Sequence, residues 1–164
     1  MAAHDEFITG EFRRAVDDRH RVTLPTEVVE VLCGDAPEEG ECILAKERFG
    51  CLSLWNAARW REKIDQGIDL VKQKIRAGRL EGKLSQTQLF GRLLSTRYRA
   101  VKLGQRGRLV IPEGFREFLS VEPNSDVLVV GAAICVELWQ PDAWREYLKR
   151  RMPQFGSLFE ELSS

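Results

Sequence analysis

Shifted along itself by 87 residues, the chain repeats. Arg19 falls on Arg106, Arg21 on Arg108, Pro25 on Pro112, Glu30 on Glu117 and Leu32 on Leu119. Past a loop three residues shorter in the second copy the offset becomes 84: "LW" at 54–55 meets "LW" at 138–139, and "WRE" at 60–62 meets "WRE" at 144–146. An ordered match of this kind marks an internal duplication, so whatever the first half builds, the second must build again beside it. With 164 residues in all, each copy is too short for a generous core of its own, and one compact unit with a shared core is expected.

Both copies read the same way. A basic strand-turn-strand, "DDRHRVTLP" at 17–25 and "GQRGRLVIP" at 104–112, runs into a short helix. Val28, Val31 and Leu32 form the apolar side of that helix in the first copy, and Phe115, Phe118 and Leu119 form it in the second. Proline suits the start of such a helix because the N–H it lacks would have had no partner there. After an acidic or polar loop ("GDAPEEGE" at 34–41 in the first copy) come the apolar strands "CILA", "CLSLW", "VLVV" and "CVELW". The second Trp of each copy is read as opening a helix. The longer one covers 59–77, with Trp60, Ile64, Ile68, Val71 and Ile75 on one stripe suited to core or subunit packing. These boundaries give a first repeat with its long helix at 6–78, a second repeat at 79–150 and a tail at 151–164. In the tail, Phe155, Leu158, Phe159 and Leu162 stand at helical spacing, ready to cover the core, a sister subunit or a partner.

The charge map is uneven beneath a neutral total. Twenty-five basic and twenty-five acidic side chains cancel. Yet 82–112 contains no Asp or Glu and carries Lys83, Arg92, Arg97, Arg99, Lys102, Arg106 and Arg108. A second basic cluster, Arg13, Arg14, Arg19 and Arg21, surrounds Asp17 and Asp18. Polyanions respond to the local field rather than to the sum, so a basic face suited to nucleic acid is expected.

Enzyme chemistry finds little purchase. The chain has two histidines, His4 and His20, and no nucleophile elbow, phosphate-binding loop or metal-ligand spacing. Cys33, Cys42, Cys51 and Cys135 form no C-x-x-C pair, and reduced buried thiols in a cytoplasmic protein are expected. No metal or cofactor is expected. "VLVVGAAICV" at 127–136 is half a membrane span, and the N-terminal "MAAHDEF" lacks the basic and apolar regions of an export signal, so no anchor and no membrane partner is expected.

The turns themselves make demands. Gly107 adopts positive φ without steric cost, and its counterpart His20 is of a type enriched there. Such turns push Arg19, Arg21, Arg106 and Arg108 outward, where guanidinium groups can fork onto phosphates or onto the N7 and O6 of guanine. Asp17, four residues before Arg21, is placed to reach across the turn and restrain that guanidinium. On this reading Arg21 and Arg108 read bases and Arg19 and Arg106 hold phosphates, while Lys102, Arg13 and Arg14 widen the basic footprint.

Together these residues resemble the MraZ family of bacterial transcription regulators, within the wider AbrB-like, swapped-hairpin group. Asp17 and Arg21 match that family's Asp-x-x-x-Arg motif, with His20 at its usual Gly. In the second copy Arg108 matches, but Gly104 stands at the Asp position. "FGRLLS" at 90–95 and "ELWQPDAW" at 137–144 extend the likeness over 6–148. The resemblance implies an α+β fold in which two tandem swapped-hairpin repeats interlock into one β-barrel-like unit with flanking helices. It further implies a ring-shaped homo-oligomer with its arginine turns on one face. The ring would bind short repeats of double-stranded promoter DNA upstream of division and cell-wall genes, in the cytoplasm and at the nucleoid. An AbrB-like antitoxin or a ring-forming interaction scaffold is the alternative that remains open. It would lack a steep salt dependence of DNA binding.

Overall fold

The computed structural model describes residues 7–33 and 40–164. His4, the first residue of the expected 6–78 repeat and most of the acidic loop lie outside the described residues. The first half runs β1 (Glu11–Ala15), β2 (Arg21–Thr23), α1 (Thr26–Cys33), β3 (Glu41–Arg48), β4 (Cys51–Asn56) and α2 (Ala57–Trp60), then passes through a π-helical turn at Arg61–Asp65 into α3 (Gln66–Arg76). The second half runs α4 (Leu84–Arg97), β5 (Tyr98–Lys102), β6 (Arg108–Val110), α5 (Phe115–Leu119), β7 (Asp126–Gly131), β8 (Val136–Trp139), α6 (Pro141–Arg151) and, after a 3₁₀ turn at Met152–Gln154, α7 (Phe155–Ser163).

The fold is α+β. Six strands form one antiparallel sheet in the order β1-β7-β8-β4-β3-β5, while β2 and β6 pair separately as a two-stranded ribbon. Exchanging β1 with β5, β3 with β7 and β4 with β8 turns this order into its own reverse, so the sheet carries an approximate two-fold axis through the β4–β8 pair. At that axis Ser53 lies opposite Glu137, its counterpart at an offset of 84. Pairing crosses between the halves four times: β1 joins β7, β5 joins β3, β4 joins β8, and β2 joins β6.

Alternation along the strands divides the apolar residues between the two sheet faces. One face buries Leu44, Leu52, Leu54, Val129, Val136 and Leu138 against Val22 and Leu109 of the ribbon and against α1 and α5. The other face holds two tryptophan clusters. Trp55 meets Trp60 edge-on at 5.6 Å beneath α2, and Trp139 meets Trp144 at 5.1 Å beneath α6. Each outer-face Trp donates its indole N–H two residues back, Trp55 to Ser53 and Trp139 to Glu137. Cys42, Cys51 and Cys135 are free thiols buried in these layers, and burial pushes Cys42 and Cys135 up to about 12. Among the described residues no helix is long and apolar enough to cross a membrane.

Two expectations are corrected. The helices do not open on the second Trp of each half but three residues earlier, at Ala57 and Pro141. The Asn56 side chain accepts from the N–H of Ala58 and Arg59, and that of Gln140 from Ala143. These polar caps satisfy the free N–H groups of the first turn, which an indole cannot do. Trp60 and Trp144 then fall on the turn that faces the sheet. The long helix is also not one uniform cylinder over 59–77: it spans Ala57 to Arg76 with the π-helical turn inserted. Its stripe fades from buried Trp60 through half-buried Ile64, Ile68 and Val71 to exposed Ile75.

Candidate nucleic-acid interface

Two turns of matching construction flank the ribbon. In the first, the N–H of Asp17 donates to the Arg21 carbonyl at 3.0 Å and that of His20 to the Asp17 carbonyl at 3.1 Å. In the second, Gly104 donates to Arg108 at 2.8 Å and Gly107 to Gly104 at 3.2 Å. His20 and Gly107 occupy the same slot at φ 59 and 72. Each turn is strapped by the other half: Ile111 donates to the His20 carbonyl at 2.9 Å and Leu24 to the Gly107 carbonyl at 3.0 Å. Val29 of α1 closes over the second turn, leaving no room for a β-carbon on Gly107.

Between the turns lies a short ribbon with a buried and an open face. Arg21 pairs with Val110, Val22 with Leu109 and Thr23 with Arg108. Val22 and Leu109 are fully buried, so the period-two alternation sends Arg21, Thr23, Arg108 and Val110 to the opposite, outward face. Arg21 and Arg108 therefore share one surface, separated diagonally by two residue steps, about 7 Å along the strands. Arg19 and Arg106 are exposed at the turn tips. Sequence reading missed Thr23 and the exposed Val110, although the alternation in "RVTLP" and "RLVIP" carries both.

Asp17 organises the first turn. One of its carboxylate oxygens accepts from the backbone N–H of Arg19 at 2.9 Å and of Arg21 at 2.8 Å, and the other accepts from Arg21 Nε at 2.7 Å. The Arg21 backbone N–H, with its guanidinium and the N–H of Arg19, holds the carboxyl down to about 2 against a smaller opposing desolvation. The depressed value means that this contribution to stability is complete above the ordinary carboxylate range. It is lost as pH falls from about 3.8 through about 2, so the clamp is intact at neutral pH.

The second turn has no such clamp. Arg108 has no ion-pair partner among the described residues. Arg106, without a side-chain acceptor at position 104, takes the left-handed conformation at φ 60 that its counterpart Arg19 does not. Gly104 itself sits at φ −82, and an added β-carbon there would meet only ordinary contacts with Arg108. Replacing it is therefore free of strain. Gly104→Ala is expected to stabilise by about 0.4–1 kcal/mol through the unfolded chain. Gly104→Asp is expected to exceed that in thermal melts and to return Arg106 to negative φ in a crystal structure of the variant.

The remaining basic residues are less concentrated. Arg13 on edge strand β1 forms an ion pair with Asp126 at 3.0 Å. Arg14 donates to the Arg13 carbonyl and leans over Phe12. Lys102 is exposed at the end of the opposite edge strand β5, beside a shallow groove that it lines with Arg99, Val110, Pro112 and Glu113. Arg19, Arg21, Arg106 and Arg108 thus gather around the ribbon, whereas Arg13, Arg14 and Lys102 lie along the two sheet edges that lead into the turns.

A family model described as "MraZ protein, putative antitoxin-like" matches residues 96–158, from the last turn of α4 through the second arginine turn into α7. Curated relatives extend the match to the first half. The "Transcriptional regulator MraZ" of Heliobacterium modesticaldum is 25% identical over 154 residues, covering 93% of this chain and 94% of the relative. That of Symbiobacterium thermophilum is 27% identical over 155 residues, 94% and 96% of the two chains. That of Treponema denticola is 24% identical over 155 residues, with the same coverage. With a family model across the second copy and relatives aligned over more than nine-tenths of its length, this chain is similar to the MraZ transcriptional regulators.

Proposed function

We propose that the chain is a homo-oligomeric, DNA-binding transcriptional regulator without catalytic activity, reading short promoter repeats upstream of division and cell-wall genes. The observation that carries this reading is the shared outward face of Arg21 and Arg108 on a two-stranded ribbon, a shape the major groove admits. Arg21, restrained by Asp17, and Arg108 read base edges. Arg19 and Arg106 contact phosphates, with Lys102, Arg13 and Arg14 broadening the field. Arg13 contributes least because Asp126 already engages it. The crossed pairing of the halves supports two swapped-hairpin repeats closed into one barrel-like unit. The protein acts in the cytoplasm, at the nucleoid.

Two arginine turns are a small reading surface, so affinity rests on several subunits engaging several repeats at high effective concentration. The test is equilibrium binding to DNA from the protein's own upstream region across a salt series, with a scrambled sequence of equal length beside it. The expected result is a linear fall of log affinity with log salt, with a slope of roughly −0.9 per phosphate contact. A single repeat should bind at least about tenfold more weakly than the array. An antitoxin-like or scaffolding role is the second reading, favoured by the exposed apolar stripes of α4 and α7; it expects neither a salt slope nor a sequence preference.

A further inference from the structure

An uncovered valine stands in the middle of a cationic face. On the outward side of the ribbon Val110 is 50% exposed, and it pairs directly across from Arg21. Thr23, also exposed, pairs across from Arg108 in the same way. Each arginine therefore has a side chain of the other half as its cross-strand neighbour. The β-carbons of directly opposed residues lie about 4.5–5.5 Å apart, while consecutive base pairs stack at roughly 3.4 Å. An arginine forked onto a guanine thus sets its neighbour against the edge of the adjoining base pair.

The two neighbours differ in chemistry. Valine carries methyl groups and no hydrogen-bonding atom, so among the groups that line a major groove it matches only the C5 methyl of thymine. Set against an amino group or O6, it would leave a polar atom without water or partner. Threonine keeps one methyl and adds a hydroxyl that donates or accepts, so it tolerates several bases. The arginines differ in the same sense. Asp17 takes Nε of Arg21 at 2.7 Å, which leaves the two terminal nitrogens to fork onto a guanine and fixes where Val110 falls. Arg108 has no ion-pair partner among the described residues. The groove beside Val110 carries Arg99 and Lys102, cations placed to hold the phosphates that flank a base read there.

We propose that Val110 is a specificity residue: it reads the C5 methyl of a thymine adjoining the guanine held by Arg21, while Thr23 selects only weakly beside the guanine of Arg108. The proposal rests on the DNA-reading role above and adds to it a second base and an inequality between the halves.

The experiment is equilibrium binding of the full-length protein to the upstream duplex in which each thymine of one repeat is replaced, one at a time, by deoxyuridine. That change removes the C5 methyl and keeps the base pair. The wild type is expected to lose about fourfold at one position, beside the guanine that Arg21 protects in footprints, and little elsewhere. Val110→Ser is expected to bind the thymine duplex as weakly as the wild type binds the deoxyuridine duplex, and to lose nothing further on the replacement. Thr23→Val is expected to gain a thymine dependence on a duplex that carries thymine beside the guanine of Arg108. Circular dichroism confirms that both variants, altered at exposed positions, fold. A wild type that prefers the repeats to scrambled DNA but ignores every deoxyuridine would overturn the proposal and leave the DNA-reading role standing. A fourfold loss retained in Val110→Ser would overturn it as well, by giving the methyl to another side chain. Equal binding of repeats and scrambled DNA would remove the DNA-reading role itself, and the proposal with it.

Discussion

Arg21→Ala sharply lowers sequence preference while leaving the fold in place; that is the expected result of footprinting the upstream region with the variant. A bidentate arginine supplies about 1–3 kcal/mol of discrimination, so two engaged subunits together lose about 30-fold to 10⁴-fold. The folded chain loses little, because Arg21 is part of a surface ion pair of a kind with a median worth of about 0–1 kcal/mol. Two companions separate orientation from charge. Asp17→Ala keeps the guanidinium but removes its hydrogen bond from Nε and the two that hold the Arg19 and Arg21 backbone N–H groups, and is expected to lower discrimination without changing the salt slope. Arg106→Ala is expected to reduce that slope by about 1 and leave the preferred sequence unchanged. An Arg21→Ala footprint identical to the wild type's would remove Arg21 from the reading surface.

Gly107→Ala is the expected stability counterpart. The residue sits at φ 72, and a β-carbon built there lies 2.4 Å from Val29 Cγ2. The backbone conformation costs about 1–2 kcal/mol in a residue other than glycine, and the overlap adds about 1–3 kcal/mol. Urea unfolding is therefore expected to show a loss of about 2–5 kcal/mol. Gly114 offers the control: at φ 89 it has nothing within 4 Å of an added β-carbon, so Gly114→Ala carries the backbone penalty alone. Val29→Ala introduced together with Gly107→Ala should recover the steric part. If the two single costs simply add, α1 does not press on the turn as described.

How far the sequence disclosed this molecule depends on the kind of information each element needed. The ribbon was legible because duplication doubled its signal, with Arg21 and Arg108 followed by the same alternation and the same proline. The pairing of Asp17 with Arg21 was legible from spacing, since four residues is the width of the turn. Strand neighbours were not. Alternation in "CLSLW" says which face is wet, but nothing in β1 points to β7 rather than to the adjacent β2 or β3. Helix starts were readable and misread: the Asn56 and Gln140 caps were overshadowed by the matching Trp residues. Helix α4 was overlooked because its "LSQTQLFGRLLSTR" buries no residue in its own chain, and a helix without a packed face shows weak contrast. The left-handed Arg106 follows from a missing acceptor at Gly104, and an absent group leaves no pattern to detect.

The crossed pairing has a consequence for how such a protein can change. Were the two halves separate identical chains, every substitution would appear at both ends of the ribbon at once, and a turn could lose its aspartate only by losing both. Joining them in one polypeptide lifts that restriction. Position 17 keeps a carboxylate while position 104 has none, so on the proposed DNA-reading role one subunit would offer a non-palindromic stretch a stiff finger and a loose one.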